Sequence, residues 1–145
     1  MATKNKAVHN QVLRGQFGKM WIDGEEYLNV KSFEAKISLK YETIDVNGEM
    51  GEHQRLIGYS IAGTMVLHKI NSKIVHKLAA NVKNGSLPEV KIVAKVTDPD
   101  VAGAERIELL DVTFDEMAFK FENKKVGEES VPFKAADYNY LDYIL

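Results

Sequence analysis

The sequence predicts a mainly β fold of α+β character: a β-sandwich or open barrel with one flanking α-helix and a long extended hairpin. Two long runs of alternating residues, an Asp-Gly turn between short apolar runs, and one helical stripe carry that prediction. The alternation is clearest from Phe33 to Thr43, where Phe33, Ala35, Ile37, Leu39 and Tyr41 interleave with Glu34, Lys36, Ser38, Lys40 and Glu42. Successive side chains on a strand point to opposite faces, so this run has one apolar and one polar face. Tyr59, Ile61, Gly63, Met65 and Leu67 repeat the pattern against Ser60, Ala62, Thr64, Val66 and His68. Between them, Asn47-Gly48-Glu49-Met50-Gly51 is rich in turn residues, which predicts an antiparallel hairpin with a loose connection.

A shorter hairpin is expected before it. Asp23-Gly24 separates Met20-Trp21-Ile22 from Tyr27-Leu28-Asn29-Val30, and Asp-Gly favours the type I′ turn that matches strand twist. The helix is expected over about Ser72 to Asn84, with Ser72 as its N-cap and Gly85 in the left-handed position after its last turn. Ile74, Val75, Leu78 and Val82 make its apolar stripe, Lys73, Lys77 and Lys83 lie outside that stripe, and Pro88 forbids continuation. Val90, Ile92, Ala94 and Val96 then alternate as a strand, followed by the turn-rich loop Asp98–Gly103. The strand-like run from Glu105 to Phe119 changes phase near Leu109-Leu110, which reads as a bulge. A last strand around Ser130 to Ala136 precedes an aromatic tail, about 137–145. With a flexible N-terminal arm, about 1–15, residues 1–145 read as one domain.

Composition narrows the function. A chain of 145 residues can bury one hydrophobic core, and 45% hydrophobic with 28% charged residues is ordinary for a soluble globular protein. The net charge of −2 excludes the positive field of a dedicated nucleic-acid binder. Without cysteine there is no disulfide framework or thiolate chemistry, as suits a reducing cytoplasm. Met1 to Asn10 lacks the apolar core of a secretory signal, and no apolar run approaches the roughly 20 residues that cross a bilayer. Neither export by a signal peptide nor a membrane span is expected.

Nothing in the chain assembles catalytic chemistry. His68 and His76 are close in sequence but belong to no metal-ligand pattern, and ordinary surface histidines are the simpler reading. Asp98-x-Asp100-x-x-Gly103 lacks the later ligands of a calcium loop and reads as a β-turn with Pro99 fixing φ. The paired acids Glu25-Glu26 and Glu128-Glu129 flank turns. No nucleophile elbow or phosphate-binding glycine loop is present. Phe114, Phe119 and Phe121 read more simply as strand aromatics than as a base-stacking platform. No enzymatic activity, metal or cofactor is expected.

The long hairpin has a size problem. Its eleven alternating residues span roughly 37 Å at about 3.4 Å each. A compact domain of this length is only about 38 Å across. Either the strand bends around the core or its far end projects and needs a partner, because open edges and an exposed apolar face mark an interaction surface.

Several phrases, in order, resemble the tail-tube family of contractile phages and phage-like, PBSX-type particles. They are Asp23-Gly24-Glu25-Glu26, Lys31-Ser32-Phe33-Glu34-Ala35, Gly63-Thr64 and Lys69-Ile70-Asn71-Ser72. Gly103-Ala104-Glu105-Arg106-Ile107, Asp111-Val112-Thr113-Phe114-Asp115 and Val131-Pro132-Phe133 follow, so the resemblance spans nearly the whole chain. It implies a structural subunit whose hexameric rings stack into a hollow conduit for DNA or effectors, related in fold to type VI secretion tubes. The implied partners are further copies of itself, a sheath protein, baseplate and tail-terminator proteins, and a tape-measure protein. DNA would pass without sequence-specific binding, no membrane is involved, and assembly would take place in the bacterial host cytoplasm. Phe33, Ala35, Ile37, Leu39, Tyr41, Tyr59, Ile61, Met65 and Leu67 would then belong to the hairpin that joins neighbours in an inner barrel.

On the same resemblance, six subunits of four strands give a wall of roughly 115 Å at about 4.8 Å per strand, hence a backbone diameter near 37 Å. The candidate lumen lining is the polar face, Glu34, Lys36, Ser38, Lys40, Glu42, Ser60 and Thr64; the alternative is that this face meets outside solvent. Ring-stacking candidates are Asn47, Gly48, Glu49 and Met50 with Tyr140 and Tyr143 of the aromatic tail, for which packing on its own core is the alternative. A rival reading from the residues themselves is a β-sandwich module for carbohydrate or protein ligands, with Trp21 as the sole tryptophan available to it.

Overall fold

Two antiparallel sheets face each other across one apolar core in the computed structural model, which describes residues 8–145. Residues 1–7 of the expected N-terminal arm lie outside the described residues. In chain order the elements are β1 (Lys19–Ile22), β2 (Glu25–Glu26), β3 (Val30–Asp45), β4 (Glu52–His68), helix α1 (Lys73–Lys83) and β5 (Ile92–Thr97). They continue with β6 (Ala104–Leu110), β7 (Thr113–Phe114), β8 (Glu128–Ala135) and β9 (Asp137–Asp142). One sheet runs β2-β1-β5-β6-β9 and the other β3-β4-β8-β7. Met20, Ile22, Ile92 and Leu109 from the first sheet meet Ile61, Met65, Leu67, Val131 and Phe133 from the second. The mainly β sandwich with a helix and a long hairpin is therefore the observed architecture.

Asp23 and Gly24 both take positive φ, +52° and +83°, as a type I′ turn requires. The second arm of that hairpin is shorter than expected. Pairing covers only Glu25 and Glu26, after which the Tyr27 amide donates to Met20 O and its ring turns into the core. The Tyr27–Val30 run is thus an exit into β3 and not a strand beside β1. At α1, Gly85 has the left-handed φ of +74°, and the Gly85 and Ser86 amides donate back to Val82 O and Asn81 O, closing the last turn. The N-cap differs: Ser72 makes no capping bond, and Asn71 Oδ1 instead accepts from the Lys73 amide at 3.2 Å. Ile74 and Leu78 are buried, whereas Val82 at the end of the stripe stays exposed.

The phase change at Leu109-Leu110 is a change of sheet, not a bulge. β6 ends at Leu110, Asp111 takes φ +51°, and Thr113–Phe114 pairs in the opposite sheet. Leu109 and Val112 are both buried, so the chain must reverse the side it presents as it crosses the sandwich. The remainder of that expected strand, through Phe119, lies outside any strand. The aromatic tail is likewise no free tail over its first part. After Ala136 the chain crosses to the five-stranded sheet, and β9 pairs antiparallel with β6.

A close backbone approach sets the packing of the four-stranded sheet. Ala35, Gly63, Phe133 and Phe114 share one cross-strand row. A Cβ on Gly63 would lie 2.2 Å from Glu34 O and 2.6 Å from Phe133 Cζ, so only glycine fits there. Through that gap the buried Phe133 ring stacks on Phe33, centroids 5.8 Å apart. Gly63→Ala must displace backbone on one side and a buried ring on the other, with an expected cost of about 3 kcal/mol. Thermal denaturation should show a Tm lower by on the order of 10 °C, and a change under about 2 °C would refute the tight fit.

Candidate assembly surface

The hairpin of β3 and β4 outruns the sandwich. β4 is 17 residues long, but β8 pairs only with Ile61–His68. Glu52–Ser60 and their partners from Ser38 to Asp45 therefore form a two-stranded ribbon with no neighbouring strand on either edge among the described residues. A bare ribbon of two strands is marginal in water, because it buries little and leaves backbone groups unpaired. On its apolar face Leu39 pairs with Tyr59 and Tyr41 with Leu56, and all four side chains are 42% to 54% exposed. β3 is also the outer strand of the sheet along its whole 16 residues.

The nine hairpin residues singled out from the sequence divide into two groups. Ile61, Met65 and Leu67 are fully buried in the subunit's own core, with Phe33, Ala35 and Ile37 packed partly buried against them. Leu39, Tyr41 and Tyr59 lie beyond the core and are exposed. The hairpin is thus anchored at its base and uncovered at its far end.

On the opposite face, Glu34 stands across from Thr64 and Ser38 across from Ser60. Lys36 pairs with Glu34 at 3.2 Å, and Lys40 and Glu42 continue the row toward the tip. Two more cations join this face that sequence phase alone does not place there. A register shift between Lys40 and Tyr41 leaves Ile57 as the extra residue and brings Arg55 opposite Glu42. Lys134 of β8 stands beside Ala62 and is 4.0 Å from Asp115. Lys36, Lys40, Arg55 and Lys134 therefore oppose Glu34, Glu42 and Asp115, four positive charges against three negative. A second shift, at Val30/Ser32, frees Lys31 to reach across β4 to Glu128 of β8 at 2.6 Å, which holds the Glu128 carboxyl below the usual range.

At the tip, the Glu49 amide donates to Val46 O, Gly48 has φ +87°, and Met50 is fully exposed. The Glu49 carboxylate contacts His53 Nε2. Residues 52–57, which lie between the turn-rich segment and the second alternating run, are strand. Tyr140 and Tyr143 lie away from the tip in an aromatic row. Tyr59, Tyr138, Tyr140 and Tyr143 follow one another at centroid spacings of 5.4, 6.0 and 5.5 Å. The Tyr59 hydroxyl donates to Asp137 Oδ1 at 2.9 Å, and that bond pushes its phenol pKa up. The row buttresses the hairpin where it leaves the core. Trp21 is half-buried on β1, opposite Glu26 and Val93.

The N-terminal segment is tied down at Arg14, inside the expected flexible arm. Asp98 is buried, and its two oxygens accept from Arg14 Nε and Nη2, both at 2.8 Å, and from the amides of Arg14 and Asp100. The Arg14 guanidinium holds the Asp98 carboxyl well below the ordinary carboxylate range, with the Asp100 amide helping. The Val101 amide donates to Asp98 O, so the segment is a turn whose carboxylate is already neutralised by arginine. Among the described residues, no three His, Cys, Asp or Glu side chains are grouped to hold a metal ion.

Solved structures share this arrangement of sheets and hairpin. The chain superposes with a TM-score of 0.68 on a chain of the PVC sheath–tube complex, an extracellular contractile injection system in its extended state; 99% of each chain is covered at 11% identity. It superposes with a TM-score of 0.66 on the SPP1 tail tube, covering 91% of this chain and 80% of that one at 10% identity. At such identities the likeness is one of fold: a tube-type β-sandwich. Sequence carries it further. The phage tail tube protein family matches residues 5–142, and the chain belongs to that family. It is 31% identical over 130 residues to XkdM, a protein of the phage-like element PBSX of Bacillus subtilis strain 168, with 88% of both chains covered. The chain is accordingly a structural subunit of a phage or phage-like tail.

The Arg14–Asp98 clamp sets a pH response. The folded-state pKa of Asp98 is depressed, so its stabilising contribution is complete above the unfolded carboxylate range, near pH 4, and is lost as pH falls through and below it. Asp98→Asn should lower Tm at pH 7 and flatten its decline on acidification. Melting curves from pH 7 to 3 check this, and a wild-type and variant pair falling in parallel would refute it.

Proposed function

We propose that six copies close into a ring through the β3–β4 hairpin, and that the rings stack into the hollow tube of a contractile tail. The observation that carries this reading is the ribbon beyond Ile61, which past the Tyr59–Tyr138 contact has an apolar face without a second layer and, among the described residues, two edges without neighbours. A further copy is the partner that supplies both. Strand direction fits closure, since β3, β4, β8 and β7 alternate strictly. With four strands per copy, a rotated neighbour sets its β3 antiparallel to β7, so a ring continues one antiparallel sheet and removes the open edges. Four strands is also the number at which six copies give a backbone diameter near 37 Å, wide enough for a duplex about 20 Å across.

In this tube the lumen is lined by Glu34, Lys36, Ser38, Lys40, Glu42, Ser60 and Thr64, joined by Arg55 and Lys134. Balanced charge suits a conduit, because a dense basic track would hold phosphates by counterion release. Mechanism is then mechanical and not catalytic: the wall keeps its shape while cargo, DNA or an effector, slides through. A sheath, a baseplate, a tail terminator and a tape-measure protein complete the particle, built in the host cytoplasm.

Electron microscopy of the purified protein across concentration and salt tests the reading. Tubes or six-fold rings are expected, and a persistent monomer would overturn it. Leu39→Asp with Tyr41→Asp should change subunit stability by less than about 0.5 kcal/mol, since both side chains are exposed in the lone subunit. The same variant should form neither rings nor tubes.

A further inference from the structure

The two ends of the four-stranded sheet differ in shape. One is the projecting hairpin tip. The other is blunt and carries the chain between β7 and β8. Asp115 continues the β7 ladder by donating to Pro132 O at 2.9 Å, so the chain leaves β8 in the direction of Glu128, which pairs with His68. It returns to the same end, where Gly127 O accepts from the Lys69 amide at 2.9 Å. The connecting loop therefore sits at the opposite end of β4 from the tip.

Each end leaves apolar side chains uncovered. Met50 stands free at the tip, while Phe119 and Phe121, 94% and 86% exposed, meet edge to face at the blunt end. Their charges are complementary. Asp45 to Glu52 holds three acids and neither Lys nor Arg, a charge of −3; Lys120 to Lys125 holds three lysines and one glutamate, a charge of +2. Length adds a third observation. The 17 residues of β4 span about 56 Å, against about 38 Å for a compact domain of this length, so the tip projects far enough to reach a copy stacked along the strand direction.

We propose that the hairpin tip of one copy seats on the Lys120–Lys125 loop of a second copy in the adjoining ring, with Met50 against Phe119 and Phe121. The contact joins two different surfaces of one chain, so it propagates without closing, as a tube of many rings requires. It rests on the tube reading above and names the receiving surface for the tip. Screened charge steers the two ends together, and the apolar pair holds them.

Paired charge reversals test it by electron microscopy. Glu49→Lys/Glu52→Lys, at the tip turn and the first residue of β4, and Lys120→Glu/Lys124→Glu, in the β7–β8 loop, change exposed side chains, and their thermal melts should match wild type. Each should still close rings but shorten tubes by about tenfold or more, and the variant carrying all four changes should regain length. Wild-type tube length in both reversed variants would overturn this seat and leave the tube reading standing. Shortening in both without recovery in the combined variant would also overturn it, by placing the two ends in separate contacts. A wild-type protein that forms neither rings nor tubes would overturn the tube reading itself.

Discussion

Phe133 lies across Gly63, and the long hairpin depends on that contact. A ring stacked on Phe33 from two strands away locks β3, β4 and β8 into one register, because sliding by a single residue would drive a side chain into the place glycine leaves open. The base of the hairpin is fixed in this way. Lys31 reaching to Glu128, and Tyr59 bonded to Asp137, hold the same region from the two outer sides. Exposed ion pairs contribute little individually, so the buried aromatic pair sets the geometry and the polar contacts trim it. What projects beyond Ile61 is then a lever with a rigid fulcrum.

The core reaches only as far as both sheets do. Past Ile61 the buried core stops, and β3 and β4 continue with exposed side chains. The chain crosses between sheets at Asp111 and again at Ala136, so neither sheet is built from one contiguous stretch. Those crossings bind the two layers covalently around Leu109, Val112 and Phe133. A core of this kind keeps its shape under load applied to the hairpin, because separating the sheets means opening the whole apolar layer at once.

How much of this was legible in the sequence follows from how local each feature is. Alternation over Phe33–Thr43 and Tyr59–Leu67 reports which face is buried, and the Asp-Gly turn and Gly85 report backbone conformations that few residues adopt. The two turn conformations survive in the structure unchanged, and the alternation holds as burial only up to Ile37 and from Ile61 onward, because Leu39, Tyr41 and Tyr59 lie past the core. Ser72 is the N-cap residue, but the bond to the Lys73 amide comes from Asn71, because both carry suitable oxygens and only the entering backbone decides between them. A change of phase can mean a bulge or a change of sheet, and Leu109-Leu110 alone does not separate them. Arg14 and Asp98 stand 84 residues apart, so no spacing rule joins them. Arg55 enters the polar face only because Ile57 is an extra residue, and register shifts of that kind depend on how the finished sheet twists. The candidate assembly surface was therefore visible as a surplus of strand, while its electrostatics needed the register.

An open edge of sixteen residues should invite indiscriminate pairing, yet β3 carries several features that limit it. Lys31, Lys36 and Lys40 place charge along it, and the two register shifts interrupt its ladder and increase its local twist. A flat foreign strand meets mismatched hydrogen bonds and charged side chains on such an edge. A second copy of the same sheet carries the same twist, and its acids can stand opposite those lysines. The devices that guard the edge in the lone subunit are, in the proposed ring, the ones that select its partner. In the proposed ring, folding and assembly are separated by this selectivity: the sandwich completes itself first, and the ribbon gains neighbours only when an identical surface arrives.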